Sequence, residues 1–259
     1  MKGPLHIDVI GHGPPLVLLH GWAMHGGVFA PLVARLQDRF TLHVVDLPGH
    51  GLSRTCDVPL ALEPCVDAIT RHVPRAPWCG WSLGGLVALH AAATRPDAVP
   101  ALSMLCASPR FVRGEDWRYG VSAEIFRDFA DGLRSDYRAT LDRFVALEAF
   151  GSDHAKDEIR ALRDELFSRG EPSAHVLADG LHLLETTDLR DTLPTLRVPS
   201  LWLAGRRDRL VDPRAMRDAA ALAPASTVHV IEHAGHAPFL THADVVAGHL
   251  ATAFAAFAA

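Results

Sequence analysis

The sequence predicts an α/β fold: a mostly parallel sheet flanked by helices, interrupted by an inserted helical cap. Three observations predict it. Short, continuously apolar runs alternate with helical patterns toward both ends of the chain, as parallel strands and their crossover helices do. A long middle stretch contains helical patterns only. One apolar run passes through Gly80-Trp81-Ser82-Leu83-Gly84 directly into a helical pattern, which is a strand, a sharp turn and a helix in succession. With 259 residues, 49% of them hydrophobic, the chain can bury a large core.

Residues 16–20 (LVLLH), 42–46 (LHVVD), 78–82, 101–107, 200–205 (SLWLAG) and 228–231 each read as a buried strand. A strand covered on both faces needs continuous apolar character instead of alternation. Residues 6–10 add an antiparallel edge strand. Helical patterns occupy 29–36, 83–94, 213–222 and 243–257. Between 111 and 189 the pattern gives helices at 122–133, 136–150, 154–167 and 174–186, punctuated by Gly151, Gly170 and Pro172. The expected organisation is a core of residues 1–110 and 190–259 with a helical cap at 111–189. Such a block fits over the C-terminal edge of the sheet, where α/β folds build their sites.

Composition narrows the function classes. A formal charge of −5 points to neither a nucleic-acid nor a membrane partner. The apolar runs are too short to span a bilayer, and Met1 to Gly13 has no apolar segment of signal-peptide length. The expectation is a cytoplasmic monomer. The four cysteines, Cys56, Cys65, Cys79 and Cys106, form no C-x-x-C pair and no disulfide framework; Cys79 and Cys106 lie in apolar runs and read as small core residues. Lysine occurs only at Lys2 and Lys156 while arginine is abundant, so a single arginine is a weak functional signal. The 16 histidines include no H-E-x-x-H and no spaced Cys/His set, so no metal site is expected. Gly11-His12-Gly13 precedes a strand and fails as a dinucleotide fingerprint. No cofactor is expected. Asp46-Leu47-Pro48-Gly49-His50-Gly51 closes a strand and reads as turn chemistry.

The chemistry centres on Ser82. Its G-x-S-x-G setting, with a strand before and a helix after, is that of a nucleophile elbow. Gly80 and Gly84 leave no side chain to collide with the turn, and the helix beginning at Leu83 directs its positive end at the reacting centre. A serine hydroxyl needs a base. The expected order, serine, acid, histidine, is met by Asp208 after the strand at 200–205 and by His236 in Ala234-Gly235-His236-Ala237-Pro238-Phe239. Asp212 rivals Asp208 but suits an N-cap before Pro213; His233 and His242 rival His236 from weaker positions. The backbone N–H groups of Leu83 and, from His20-Gly21-Trp22, of Trp22 are the candidate oxyanion hole.

These motifs resemble the α/β-hydrolase superfamily over the whole chain. More closely, the sequence is similar to the pimeloyl-[acyl-carrier protein] methyl ester esterases of biotin synthesis. The similarity rests on His20-Gly21-Trp22, Thr41-Leu42-His43-Val44-Val45-Asp46-Leu47-Pro48-Gly49, Gly80-Trp81-Ser82-Leu83-Gly84-Gly85-Leu86-Val87-Ala88, Ala107-Ser108-Pro109 leading to Trp117, Arg143-Phe144-Val145-Ala146-Leu147 and His236-Ala237-Pro238-Phe239. The resemblance implies a serine carboxylesterase that frees the pimeloyl carboxylate from its methyl ester through an acyl-enzyme on Ser82. It implies an acyl site formed by Trp22, Ser82, Leu83, Phe144, Val145, Ala146, Leu147, Glu148 and His236. It also implies docking of an acidic acyl-carrier protein by Arg143, Lys156 and Arg160; the family's basic residue one turn before Arg143 falls at Ala139 here, beside Arg138. The superfamily-wide motifs fit equally an enol-lactonase, a C–C bond hydrolase, a broad carboxylesterase or a ligand receptor with little turnover.

Overall fold

The computed structural model describes residues 3–257; Lys2 and the outermost residues of the predicted core, 1–2 and 258–259, lie outside them. The strands are β1 (Ile7–Ile10), β2 (Pro15–Leu19), β3 (Thr41–Val45), β4 (Trp78–Trp81), β5 (Leu102–Leu105), β6 (Ser200–Gly205) and β7 (Ser226–Ile231). They form one sheet in the order β1-β3-β2-β4-β5-β6-β7. Only β1 is antiparallel to its neighbour, with Ile7 opposite Val45 and Ile10 opposite Leu42. The strands at 16–20, 42–46, 78–82, 101–107 and 200–205 thus fall where the apolar runs put them. β4, β5 and β6 are buried at every position, while the edge strand β7 is half-exposed along most of its length. That is the physical reason its sequence is the most mixed of the parallel strands.

The helices are α1 (Ala30–Leu36), α2 (Leu62–Thr70), α3 (Leu83–Thr94), α4 (Ala123–Ser135), α5 (Tyr137–Glu148), α6 (Ala155–Leu166), α7 (Ala174–Thr186), α8 (Pro213–Leu222), α9 (Pro238–Thr241) and α10 (Ala243–Ala253). α3 is apolar nearly all round and buried from Leu83 to Leu89, as a central helix must be. α4 to α7 lie between β5 and β6 in the chain. Side chains fix where several of them begin: Ser122 accepts from Glu124 N, Asp136 from Ala139 N and Ser173 from Val176 N.

Three local features depart from the sequence pattern. α2 has no counterpart in it, because the helix is short and carries Pro64 in its first turn. The helix expected through 257 ends at Ala253, followed by a 3-10 turn at Ala255–Phe257. Pro238–Thr241 is a single helical turn instead of loop. Among the described residues no helix is long and apolar enough to cross a membrane.

Candidate active site

Ser82 caps α3 with φ 53° and ψ −119°, a backbone conformation that non-glycine residues adopt at a cost. The turn is held by Ser82 N–H donating to the Leu105 carbonyl at 3.2 Å and Gly85 N–H donating to the Ser82 carbonyl at 2.9 Å. It closes only because of its glycines. A Cβ on Gly80 would strike the Gly84 carbonyl, and one on Gly84 would strike the carbonyls of Leu19 and His20. Both obstacles are backbone. The serine is 3% exposed.

Asp208 follows β6 and His236 follows β7. The Asp208 side chain is fully buried and its oxygens are satisfied by three donors: Leu210 N and Val211 N on Oδ1, each at 2.9 Å, and His236 Nδ1 on Oδ2 at 2.8 Å. A buried carboxylate needs such partners. Trp81, the residue before Ser82, donates its indole N–H to the His236 carbonyl at 2.8 Å, tying the histidine loop to the serine strand. With Nδ1 engaged by Asp208, the free ring atom is Nε2, which is buried and has no hydrogen-bond partner among the described residues. The rivals lie elsewhere. Asp212 caps α8 by accepting from Arg214 N at 2.8 Å; His233 is 64% exposed and pairs with Asp153; the His242 ring nitrogen meets the Thr241 hydroxyl at 2.9 Å.

The loop after β2 passes directly over the serine: a Cβ on Gly21 would lie 3.1 Å from the Ser82 Cβ. Among the described residues neither Trp22 N–H nor Leu83 N–H donates to another backbone carbonyl, and the first N–H groups of a helix have no partner within it. The loop is fixed from behind. His20 Nδ1 lies 2.8 Å from the Gly21 carbonyl and its Nε2 accepts from Leu47 N at 2.9 Å. Burial, with His50 beside it, holds the His20 pKa well below the ordinary histidine value, so the neutral tautomer serves both bonds. The segment read as turn chemistry supplies more than a turn. Asp46 is fully buried, accepts from Gly26 N and Leu52 N at 2.7 and 2.8 Å, and is reached by Arg169 at 3.3 Å. Its signal, an acid at the end of an apolar strand, was visible but has no motif of its own.

In α5 the residues expected to line an acyl site divide by helical geometry. Phe144 packs edge-on to Trp22 at 4.5 Å between ring centroids, and Val145 is fully buried. Leu147 lines a cavity of about 260 Å3 with Ile125, Asp128, Phe129 and Arg143. Ala146 is exposed; it sits on the opposite side of the helix from Phe144 and Glu148, so its side chain does not share their surroundings. Glu148 is 1% exposed and neither carboxyl oxygen has a partner among the described residues. Burial, then Asp208 and Glu158, raise its pKa well above the usual carboxylate value. Glu158 is also buried and accepts from Ser152 and Thr241 at 2.7 and 3.0 Å.

Arg143, Lys156 and Arg160 are all exposed. Arg143 donates to the Thr140 hydroxyl at 3.1 Å, whereas Arg160 is paired with Asp157 at 2.7 Å. Among the described residues one group has metal-ligating geometry, Cys106, Asp208 and His236, with ligand atoms within 4.8 Å of one another.

A sequence model of the alpha/beta hydrolase fold matches residues 14–243. The pimeloyl-[acyl-carrier protein] methyl ester esterase of Stenotrophomonas maltophilia strain K279a is 60% identical over 246 residues, 95% of each chain. That of Xanthomonas campestris pv. campestris strain B100 is 61% identical over 243 residues, 94% of this chain and 96% of its own. Among solved structures, an esterase from Exiguobacterium antarcticum superposes with a TM-score of 0.83 at 22% identity, covering 96% of this chain and 94% of its own. The enol-lactonase from Burkholderia xenovorans LB400 does so with 0.82 at 23% identity, covering 96% and 95%. At such identities these two establish the fold alone.

Proposed function

The chain belongs to the α/β-hydrolase fold family and, within it, to the pimeloyl-[acyl-carrier protein] methyl ester esterases, and on that premise we propose that it hydrolyses the methyl ester of pimeloyl-acyl-carrier protein in biotin synthesis, as a cytoplasmic monomer. The enzyme is a carboxylic-ester hydrolase of the serine esterase type. The observation that carries the choice of residues is the buried Asp208–His236 pair at 2.8 Å, with its free Nε2 on the histidine tied to Trp81 beside Ser82.

In the proposed reaction Ser82 Oγ attacks the ester carbonyl carbon while His236 Nε2 takes the hydroxyl proton. Asp208 holds Nδ1–H and stabilises the imidazolium. The carbonyl oxygen, now an anion, is met by the N–H groups of Trp22 and Leu83, aided by the N-terminal end of α3. Collapse breaks the bond to the methoxy oxygen, which leaves as methanol with the proton from Nε2. Water then attacks the acyl-enzyme, giving its proton to the same nitrogen. The second collapse returns that proton to Ser82 and frees the pimeloyl carboxylate.

Residues 111–189 act in this reading as a cap, with the acyl chain between Trp22, Phe144 and Leu147. Their apolar character suits a methylene chain. The carrier protein, a strongly acidic partner, meets Arg143, whose guanidinium has no carboxylate partner among the described residues, and Lys156. Arg160 contributes less, because Asp157 already neutralises it.

The test uses carrier-bound pimeloyl methyl ester and a small methyl ester side by side, with methanol release as readout. Wild-type protein should turn over both. Ser82→Ala should lose about 10⁶ in turnover on each, by analogy with other serine triads. Arg143→Glu should raise KM for the carrier-bound ester alone. Near-normal turnover by Ser82→Ala would remove Ser82 from the mechanism. Equal effects of Arg143→Glu on both esters would remove the docking role.

A further inference from the structure

We propose that Cys106, Asp208 and His236 form an inhibitory site for one thiophilic divalent cation of the zinc or cobalt(II) class, which takes the place of the proton between His236 Nδ1 and Asp208. The thiol is a buried nucleophile that ester hydrolysis does not use. Cys106 ends β5 with φ 43°, fixed by its N–H donating to the Leu203 carbonyl at 2.8 Å. Its sulfur makes a weak contact with the Gly235 carbonyl at 3.8 Å. It stands beside a carboxylate and an imidazole, and the three ligand atoms lie within 4.8 Å of one another, all buried.

The set suits the metal. Thiolate, imidazole and carboxylate are the ligands zinc selects, at about 2.0–2.3 Å. A tetrahedral ion with such bonds separates its donors by roughly 3.3–3.7 Å. The His236–Asp208 contact of 2.8 Å therefore opens by roughly half an ångström, and the sulfur closes in. Asp208 can give Oδ2 without losing its anchor, because Leu210 N and Val211 N hold Oδ1. One proton leaves per metal bound, from the thiol, while the Nδ1 proton moves to Nε2 so that the imidazole binds as a neutral ligand, and no electron is transferred. Water fills the fourth position.

Entry is on the acid side. Asp208 lines a surface cavity of about 320 Å3 whose rim carries Arg206, Arg207, Arg209 and Arg214. Arg206 is paired with Glu232, Arg207 with Asp153 and Arg214 with Asp212, and Arg209 adds a further positive charge to the rim, so the ion enters slowly. Once bound it removes the base: an imidazole metallated at Nδ1 carries its proton on Nε2 and cannot take one from Ser82.

The full chain is incubated with zinc chloride and assayed on p-nitrophenyl acetate, beside Cys106→Ala and Cys106→Ser. In parallel, cobalt(II) binding is followed by absorption in Ser82→Ala, where activity plays no part. The wild type should lose activity with slow onset and recover with EDTA. Both cysteine variants should need at least ten-fold more zinc. Ser82→Ala should bind one cobalt with a thiolate charge-transfer band that Ser82→Ala/Cys106→Ala lacks. Equal zinc sensitivity in all three proteins, or cobalt bound without the thiolate band, overturns the site. Should the alanine variant not fold, the serine variant decides alone.

Discussion

Replacing Asp208 by asparagine tests the acid–base pair without disturbing its packing. The shape is unchanged, so the effect depends on how the new amide orients. Oδ1 of Asp208 accepts two backbone N–H groups, from Leu210 and Val211, each at 2.9 Å. An asparagine in the same place must turn its oxygen toward those two donors, since its NH2 group would oppose them. The NH2 group is then forced to face His236 Nδ1, 2.8 Å away in the native pair. A donor now meets that nitrogen, so the imidazole shifts its proton to Nε2. The nitrogen that must take the serine proton arrives already protonated. The expected loss is about 10⁴ in kcat, the size of the same wrong-tautomer effect in a serine protease, or about 5.4 kcal/mol of transition-state stabilisation. Folding should hold much better than in Asp208→Ala, which strands two buried N–H groups at about 1–3 kcal/mol each. The assay is steady-state ester hydrolysis with thermal unfolding of both variants. A loss under ten-fold in Asp208→Asn would refute the argument, because the amide would then have found an orientation that keeps Nε2 free.

Gly84→Ala should cost about 3 kcal/mol, since its Cβ meets the backbone of Leu19 and His20. Gly248→Ala, where a Cβ meets nothing within 4 Å, should instead gain about 0.5–1 kcal/mol; thermal melts that rank the two alike would refute the steric reading. Glu148→Gln should leave stability nearly unchanged near pH 4 and make the protein progressively more stable than wild type as pH rises. The sign follows from the raised pKa of the buried acid: its neutral form is the one the fold favours, so the native contribution is complete below the ordinary carboxylate range and is lost as pH climbs through the shifted value. Denaturant titrations across pH check this, and parallel pH profiles would contradict it. Arg169→Ala should destabilise by about 2 kcal/mol, because buried Asp46 loses its cation; an unchanged midpoint in urea would show that Gly26 N–H and Leu52 N–H suffice.

The sheet was legible because its central strands are buried on both faces and so appear as unbroken apolar runs. The elbow was legible because steric demand leaves glycine as the residue for positions 80 and 84. Asp208 and His236 were located by strand ends, and Asp212 was recognised as a cap because proline follows it. What the sequence concealed depends on approach between distant segments. Asp46 and Glu158 look like surface acids until Arg169 in one case, and Ser152 and Thr241 in the other, are brought against them. Cys106 reads as a filler of core space, which its burial agrees with; its neighbours Asp208 and His236 are about a hundred residues or more away in sequence. Ala146 illustrates the opposite error. The resemblance implies one surface for a contiguous stretch, whereas a helix distributes five consecutive residues around its axis.

Trp22 connects the two halves of the proposed site. Its backbone N–H lies in the loop that crosses Ser82, and its fully buried indole reaches the other way. There the indole N–H donates to the Leu177 carbonyl of α7 at 2.8 Å, while the ring meets Phe144 of α5. Gly180 of α7 can lie against that ring only without a side chain, since a Cβ there would come within 2.6 Å of it. The proposed oxyanion N–H and the inserted helices are therefore parts of one packed unit. A helix displaced from Trp22 strands an indole N–H and loosens the residue that carries the N–H donor. In the proposed reaction, seating of the helices over an acyl chain and positioning of the oxyanion donor are thus coupled through one side chain. For this reason Trp22→Phe, which keeps the ring but removes the bond to Leu177, should lower kcat more than it raises KM; a change confined to KM would mean that the indole serves the acyl chain alone.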